Sequence, residues 1–273
     1  RTPSVRDKAG FYRMDGQHWV SVGKKEFAER PEYFSLIDGK RAPEGEAGCW
    51  SNPGFTKMIV EKHVKFIKDR NLELVNTFPA DITQRCECAE CMKNPDPSSR
   101  WFDYYAGLIR EIRKTCPETM FAGIAYQEYR SVPESKVEGL EYVEYCQYNR
   151  CYVHKLGDPA CQLNRKSMEE LDRWRKKAPM GIYGYEFDVF TPDMYLPFWN
   201  MLADEMKAFC GRKLVRVKTE LSVRYPKDAK REDLPQQKMR LGNYLYAQLA
   251  WNPGADVDAL LQDWCRTAYG PGG

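Results

Sequence analysis

The chain has 273 residues, enough for one large domain with a single hydrophobic core or for two small domains. Apolar residues make up 42% and charged residues 30%, as in an ordinary soluble globular protein, and the net charge of +3 comes from 42 basic and 39 acidic residues. No basic run or nucleic-acid-binding motif stands out, which argues against DNA or RNA as a partner, and no apolar run approaches the roughly 18 residues of a membrane span.

The first 53 residues are predicted to be rich in loops. The segment 18–20 predicts a short strand, and Asp38-Gly39 predicts a tight turn between extended pieces. A helix is predicted over 54–70, because apolar residues recur there at spacings of three and four. We interpret His63 within it as a partly buried helix residue rather than a ligand.

The rest of the chain alternates between predicted strands and helices. A half-apolar run over 74–78 predicts a strand that Pro79 stops, and Asp96 is predicted to cap a helix that ends at Cys116-Pro117. The remaining predicted elements are strands over 120–126 and 141–148, a helix over 167–177, a strand over 180–187, a helix over 196–210, a strand over 214–219, and helices over 235–250 and 255–269.

Such alternation predicts parallel strands joined by right-handed crossovers. The most economical architecture is a single α/β domain over residues 1–273, a (β/α)8 TIM-type barrel whose first β/α unit lies upstream of this chain. A doubly wound open sheet is the alternative, but no Gly-rich phosphate loop follows any predicted strand.

Acidic residues follow most of the predicted central strands. They are Asp81, Glu128, Glu186 with Asp188, and Glu220. Each alone could merely cap the next helix, but in a parallel barrel the strand ends converge on one rim. Glycoside hydrolysis needs two carboxyl groups, one protonated and one ionised, and aromatic side chains nearby would suit a sugar substrate. The set therefore predicts a glycosidase.

The ten cysteines allow either disulfides or a metal site. Cys86, Cys88 and Cys91 have the spacing of a metal-binding knuckle, for which Cys49 or a later loop would have to supply the fourth ligand. A disulfide and plain buried thiols are the alternatives to a structural zinc, and no other cofactor is expected. Cys151, His154 and Cys161 form a second cluster in the predicted loop over 149–164.

Several motifs together resemble a bacterial family, long of unknown function, that is related to glycoside hydrolase family 163. The motifs are residues 30–41, Cys49-Trp-Ser-Asn-Pro53, the cysteine loop, Ala125-Tyr126, the loop with Cys151, His154, Cys161 and Asn164, Tyr183-Gly-Tyr185, and the tail from Leu249 to Pro271. The resemblance implies a (β/α)8 barrel with endo-β-N-acetylglucosaminidase activity, cleaving between the two core N-acetylglucosamines of N-glycans.

The chain departs from that family pattern at two places. The usual Pro-Asn-Asp-Gly reads Pro79-Ala-Asp-Ile82 here, so the aspartate is kept while its neighbours change. The common Trp-Asp-Tyr reads Tyr183-Gly-Tyr185, so one rim carboxylate is lost. Both changes bear on the substrate more than on the fold.

Glu220 is the predicted acid, Asp81 the group that orients or stabilises the transition state, and Glu128 the third candidate. The candidate sugar contacts are His18, Trp50, Asn52, Tyr126, Arg130, His154, Asn164 and Tyr185. An α-glucuronidase-like activity, with Arg130 or Arg150 holding a uronate, and a non-catalytic carbohydrate-binding barrel are the alternatives. A carbohydrate is the expected partner, in a secreted or periplasmic protein.

Overall fold

The computed structural model describes residues 13–20, 22–41, 47–79, 81, 85–187, 199–221 and 236–272. In chain order the elements are β1 (Met14–Val20), α1 (Lys24–Glu29), β2 (Leu36–Ile37), β3 (Lys40–Arg41), α2 (Pro53–Arg70), β4 (Leu74–Pro79), α3 (Pro97–Arg113), β5 (Met120–Ala125), β6 (Tyr142–Cys146), α4 (Gln162–Trp174), β7 (Met180–Phe187), α5 (Trp199–Gly211), β8 (Arg216–Leu221), α6 (Gln236–Trp251) and α7 (Val257–Tyr269). Helices and parallel strands alternate, which confirms the predicted α/β class.

The chain forms two compact units. The first consists of residues 1–145 and 173–179, and the second of residues 146–172 and 180–273. Within the described residues, no helix is both long enough and apolar enough to cross a lipid bilayer.

The first unit is built on parallel strands in the order β1-β4-β5-β6. The register pairs Met14 with Leu74, and Leu74 with Met120. Both faces of β4 and β5 are buried, because neighbours such as Leu74 and Val75, or Phe121 and Ala122, all have at most 5% of their surface exposed. Burial on two faces is the environment that parallel strands need.

The two long helices of this unit begin where the sequence places cap residues. The Asn52 side chain accepts a hydrogen bond from the Phe55 N–H at the start of α2, and the Asp96 side chain accepts one from the Ser99 N–H at the start of α3. A proline follows each cap residue, at a position where its missing N–H costs nothing. Both N-termini therefore follow from local chemistry.

Helix α3 buries the face predicted for it. The side chains of Trp101, Tyr105, Leu108 and Ile112 have no exposed surface, and the Tyr105 hydroxyl donates to the carbonyl of Ala122 on β5 at 2.9 Å. His63 of α2 is fully buried, deeper than predicted.

The hairpin of β2 and β3 turns at Asp38-Gly39, as predicted. Both turn residues have positive φ, at 49° and 74°, which the I′ type of tight turn requires.

In the second unit β7 and β8 form a parallel pair in which Gly181 lies opposite Arg216. Leu202, Leu245 and Leu249, from α5 and α6, are completely buried.

Several predicted boundaries were wrong. The first strand begins at Met14 rather than at residue 18, because pairing with β4 extends it through a polar stretch; a Cβ at Gly16 would lie 2.7 Å from the Asn76 carbonyl oxygen. Helix α3 ends at Arg113, before the predicted Cys116. Helix α4 begins at Gln162 rather than Ser167, which places Asn164 in a helix instead of a loop.

Candidate functional site

Two strands of the first unit carry acidic residues just beyond their ends. Asp81 follows β4 and is exposed, and a 3-10 turn over Gln127–Tyr129 follows β5. The Gln127 side-chain amide donates a hydrogen bond to Asp81 Oδ1 at 3.0 Å. Gln127 has a φ of 46°, a left-handed conformation that is uncommon for a residue other than glycine. The bond to Asp81 thus ties the loops after β4 and β5 together.

Glu128 lies beside Arg85 beneath this surface. Arg85 Nε is 2.5 Å from Glu128 Oε1, and only 6% of the Arg85 side chain and 16% of the Glu128 side chain are exposed. Burial raises the pKa of Glu128; the charge of Arg85 opposes this shift, and the charge of Asp81 adds to it. Glu128 therefore holds a proton to higher pH than an ordinary glutamate does.

Aromatic rings surround Arg85. Its guanidinium lies 5.9 Å from the centre of the Trp50 ring and 5.8 Å from that of Tyr129. Trp50 also stacks on Tyr104, with ring centres 5.5 Å apart, and Tyr126 meets Tyr129 edge to face at 6.5 Å. These contacts restrict the rotamers of Arg85 and so fix the position of Glu128.

The arrangement places an exposed carboxylate and a buried carboxyl with a raised pKa at the ends of neighbouring parallel strands. A carboxyl of the second kind can donate a proton at a higher pH than an ordinary carboxyl does, and a carboxylate of the first kind can stabilise positive charge. Asp81 and Glu128 are two of the three predicted catalytic residues. Arg85 and Gln127, which hold them, were not predicted; both are polar residues in loops after strands, the same signal that pointed to Arg130.

The four cysteines Cys49, Cys86, Cys88 and Cys91 come together in the same unit, with all their sulfur atoms within 4.8 Å of one another. The structure records each of them as a free thiol. Hydrogen bonds from the Cys86 and Cys91 thiols lower the pKa of Cys49. The sequence left open whether Cys49 or a later loop would complete the group of Cys86, Cys88 and Cys91. In this fold Cys49 lies beside them.

The predicted second cluster also forms, in the second unit. Cys151 Sγ lies 3.2 Å from His154 Nδ1, and Cys161 completes a group within 4.8 Å. The contact with His154 lowers the pKa of Cys151 to about 7 and raises that of His154. Asn164, a predicted sugar contact, is fully buried; its side chain accepts from the Cys151 N–H and donates to the carbonyls of Cys151 and His154. It braces this loop.

The second unit contains a buried ionic group that joins two predicted candidates, Glu186 and Arg150, to Glu205, which was not predicted. Arg150 pairs with Glu205 and lies 3.6 Å from Glu186, and at most 1% of each side chain is exposed. Burial raises the pKa of Glu186 to about 7, the charge of Glu205 adds to the shift, and Arg150 opposes it. A Cβ at Gly184 would lie 2.2 Å from Glu186 Oε2.

The other predicted sugar contacts have these surroundings. His18 is exposed, and its Nδ1 is 2.6 Å from the Pro79 carbonyl oxygen. The Asn52 side chain is engaged in capping α2 and also donates to the Glu32 carbonyl. The Arg130 guanidinium lies 5.9 Å from the Tyr145 ring centre, and half-buried Tyr185 contacts the rings of Tyr148 and Tyr183.

The predicted residues divide between the two units. Asp81, Glu128, His18, Trp50, Asn52, Tyr126 and Arg130 lie in the first, while His154, Asn164, Tyr185 and Glu220 belong to the second. The backbone of Glu220 is part of β8, but its side chain lies outside the described part of the chain. The meeting of all these residues on one rim stays a prediction.

A family model for a domain of unknown function (DUF4838) matches residues 6–273 of this sequence. No protein of curated function matches it. Among solved structures it is similar to an α-amylase from Lactobacillus plantarum, with 8% identity and a TM-score of 0.52 over 90% of this chain and 61% of that chain. It is also similar to the GH36 α-galactosidase AgaA A355E D478A from Geobacillus stearothermophilus in complex with stachyose, with 10% identity and a TM-score of 0.50 over 89% of this chain and 32% of that chain. The chain thus spans less than two thirds of either structure, and at these identities the likeness concerns the fold alone.

Proposed function

We propose that this chain, which belongs to the DUF4838 family of domains of unknown function, is a glycoside hydrolase. The observation that carries the proposal is that exposed Asp81 and the largely buried Glu128 lie at the ends of adjacent parallel strands. The fold likeness to an α-amylase and an α-galactosidase supports it, as does the resemblance to glycoside hydrolase family 163.

The two carboxyl groups differ in the way that glycosidic bond cleavage requires. Most of the Glu128 side chain is buried and its pKa is raised, so it is the candidate to protonate the leaving oxygen. Asp81 is exposed and held by the Gln127 amide, which suits a carboxylate that faces the developing positive charge on the sugar. Glu220 is the other candidate for the acid, from its place at the end of β8.

The finer proposal is endo-β-N-acetylglucosaminidase activity on N-glycans, which rests on the sequence resemblance. Such a substrate carries an N-acetyl group that can act as the internal nucleophile. Asp81 would then orient that group instead of attacking the sugar itself. The half-buried rings of Trp50 and Tyr126 are the candidate surfaces for stacking sugar faces.

A uronate-specific activity would need an accessible cation to bind the sugar carboxylate. Arg150 is fully buried and pairs with Glu205 and Glu186, which argues against that role for it. Of the two predicted cations, Arg130 is therefore the better candidate for that alternative.

The test is a screen of the purified chain against a complex N-glycoprotein and against glucuronoxylan fragments, with released sugars identified by mass spectrometry. We expect Glu128→Gln and Asp81→Asn to lower kcat by about 100- to 10,000-fold, the usual contribution of a positioned acid or base. The matched controls are Glu118→Gln and Asp103→Asn, at exposed positions, and they should leave kcat unchanged.

Substrates with a good leaving group identify the acid. If Glu128 donates the proton, the Glu128→Gln variant should be far more active on an activated aryl glycoside than on the natural glycan. Its activity should also no longer fall at alkaline pH as that of the wild type does. If Glu220→Gln shows this behaviour instead, Glu220 is the acid. Sugar binding without hydrolysis of any tested glycan would favour the carbohydrate-binding alternative over an enzyme.

A further inference from the structure

Four cysteine side chains from two loops of the first unit converge on one point. Cys49 lies before α2, whereas Cys86, Cys88 and Cys91 lie between β4 and α3. Cys49 Sγ is 3.5 Å from Cys86 Sγ and 3.8 Å from Cys88 Sγ, and all four sulfur atoms lie within 4.8 Å of one another. The two sulfur atoms of a disulfide are only about 2.05 Å apart. The thiols are therefore spaced for a shared ligand rather than for pairing.

The spacing is that of a tetrahedral metal site. Four thiolates bind Zn²⁺ at about 2.3 Å each, and at tetrahedral angles this places neighbouring sulfur atoms about 3.8 Å apart. A set of four cysteines also leaves no coordination position open, as in structural rather than catalytic zinc sites. We propose that Cys49, Cys86, Cys88 and Cys91 bind one structural Zn²⁺ ion.

Neighbouring groups offset the charge that such a site would carry. Zn²⁺ with four thiolates has a net charge of −2, so hydrogen-bond donors and a cation should surround the sulfur atoms. The Leu36 N–H donates to Cys86 Sγ at 3.3 Å, and the Arg41 side chain hydrogen-bonds Cys49. The Ser51 hydroxyl lies 3.3 Å from the sulfur atoms of Cys49, Cys88 and Cys91.

The metal would fix a loop that has little regular structure of its own. From residue 85 to the start of α3, the structure shows only the 3-10 turn Cys91–Lys93. Arg100 of α3 supports this segment by donating to the carbonyls of Cys86 and Cys91, at 3.3 and 3.5 Å. Arg85 is the residue next to Cys86, so the zinc would also hold Arg85 against Glu128. The zinc site itself does not rest on the proposed function. Only the claim that the zinc positions a catalytic residue, Glu128, through Arg85 rests on it.

The first experiment measures zinc in the purified chain by plasma mass spectrometry, so its outcome does not depend on glycosidase activity. We expect one zinc per chain, lost in Cys88→Ser and in Cys91→Ser. Cys210→Ser is the matched control, because this exposed cysteine belongs to neither cluster. Cys151→Ser separates the two clusters: zinc retained in this variant supports the four-cysteine site, and zinc lost there but kept in Cys88→Ser overturns it.

A second measurement uses the wild-type chain, in case the serine variants do not fold. Titration of the thiols with an organomercurial should release zinc in step with the modification of four cysteines. Cobalt substitution should give the intense thiolate-to-metal charge-transfer absorption and the red d–d bands of a tetrahedral four-thiolate site. Failure to bind either metal, or disulfides among these four cysteines in a non-reduced peptide map of the native chain, would overturn the proposal.

Discussion

Acidification below about pH 6.5 should destabilise the first unit through one histidine, His63. Its side chain is fully buried between α2 and β4. The Ile59 carbonyl can only accept, so Nδ1–H donates to it at 2.8 Å, and Nε2 then accepts from the Thr77 hydroxyl at 3.0 Å. The neutral ring satisfies both contacts, and a proton added to it would be buried away from water.

The magnitude follows from the pKa. Burial lowers the pKa of His63 from 6.5 to about 4, so between these values the unfolded chain binds a proton that the folded chain does not. The free energy of unfolding therefore decreases as the pH falls from 6.5 to 4, and it changes no further through this group below pH 4. A shift of about 2.5 units at 1.36 kcal/mol each amounts to about 3 kcal/mol.

The assay is urea unfolding of the wild type and of His63→Gln at pH 7, 5.5 and 4. Glutamine can still donate to the Ile59 carbonyl and accept from Thr77, but it does not titrate. The difference between the free energies of unfolding at pH 7 and pH 4 should be about 3 kcal/mol smaller in His63→Gln than in the wild type. Equal pH dependence in His63→Gln and the wild type would refute the reasoning.

Two further predictions concern the buried ionic group. The pKa of Glu186 is raised from 4.5 to about 7, so stability should decrease by up to about 3 kcal/mol as the pH rises between these values, and Glu186→Gln should remove this decrease in the same unfolding assay. The Gly184→Ala variant should lose about 1 to 3 kcal/mol of stability, because its new methyl group would overlap the Glu186 carboxyl; the loss should shrink in a Glu186→Ala background, and an unchanged loss in that double-mutant cycle would contradict the contact.

The candidate site was only partly predictable. Asp81 and Glu128 could be chosen because each follows a recognisable strand, a position that parallel sheets use for chemistry. The role of Glu128 could not be assigned, since its pKa depends on burial and on Arg85, which lies 43 positions away in the chain. The assignment of Glu220 as the leading acid rested on its position after a predicted strand and on the family resemblance, and it stays a prediction.

Taken by itself, the sequence determined those features that depend on neighbouring residues. Asn52 and Asp96 mark the starts of α2 and α3, apolar spacing marks the buried face of α3, and Asp38-Gly39 marks the hairpin turn. Helix capping, periodicity and turn conformation are set by sterics and hydrogen bonds within a few residues, so they can be read along the chain.

Only the tertiary structure decided which distant residues share a site. It extended β1 by pairing it with β4, placed Cys49 beside the later cysteine loop, and put the Glu186 carboxyl above Gly184. Metal binding and pKa depend on separations of a few ångströms between groups that are distant in sequence, and on how much water reaches them. Chain packing determines both quantities, and neither is encoded in any short stretch of the chain.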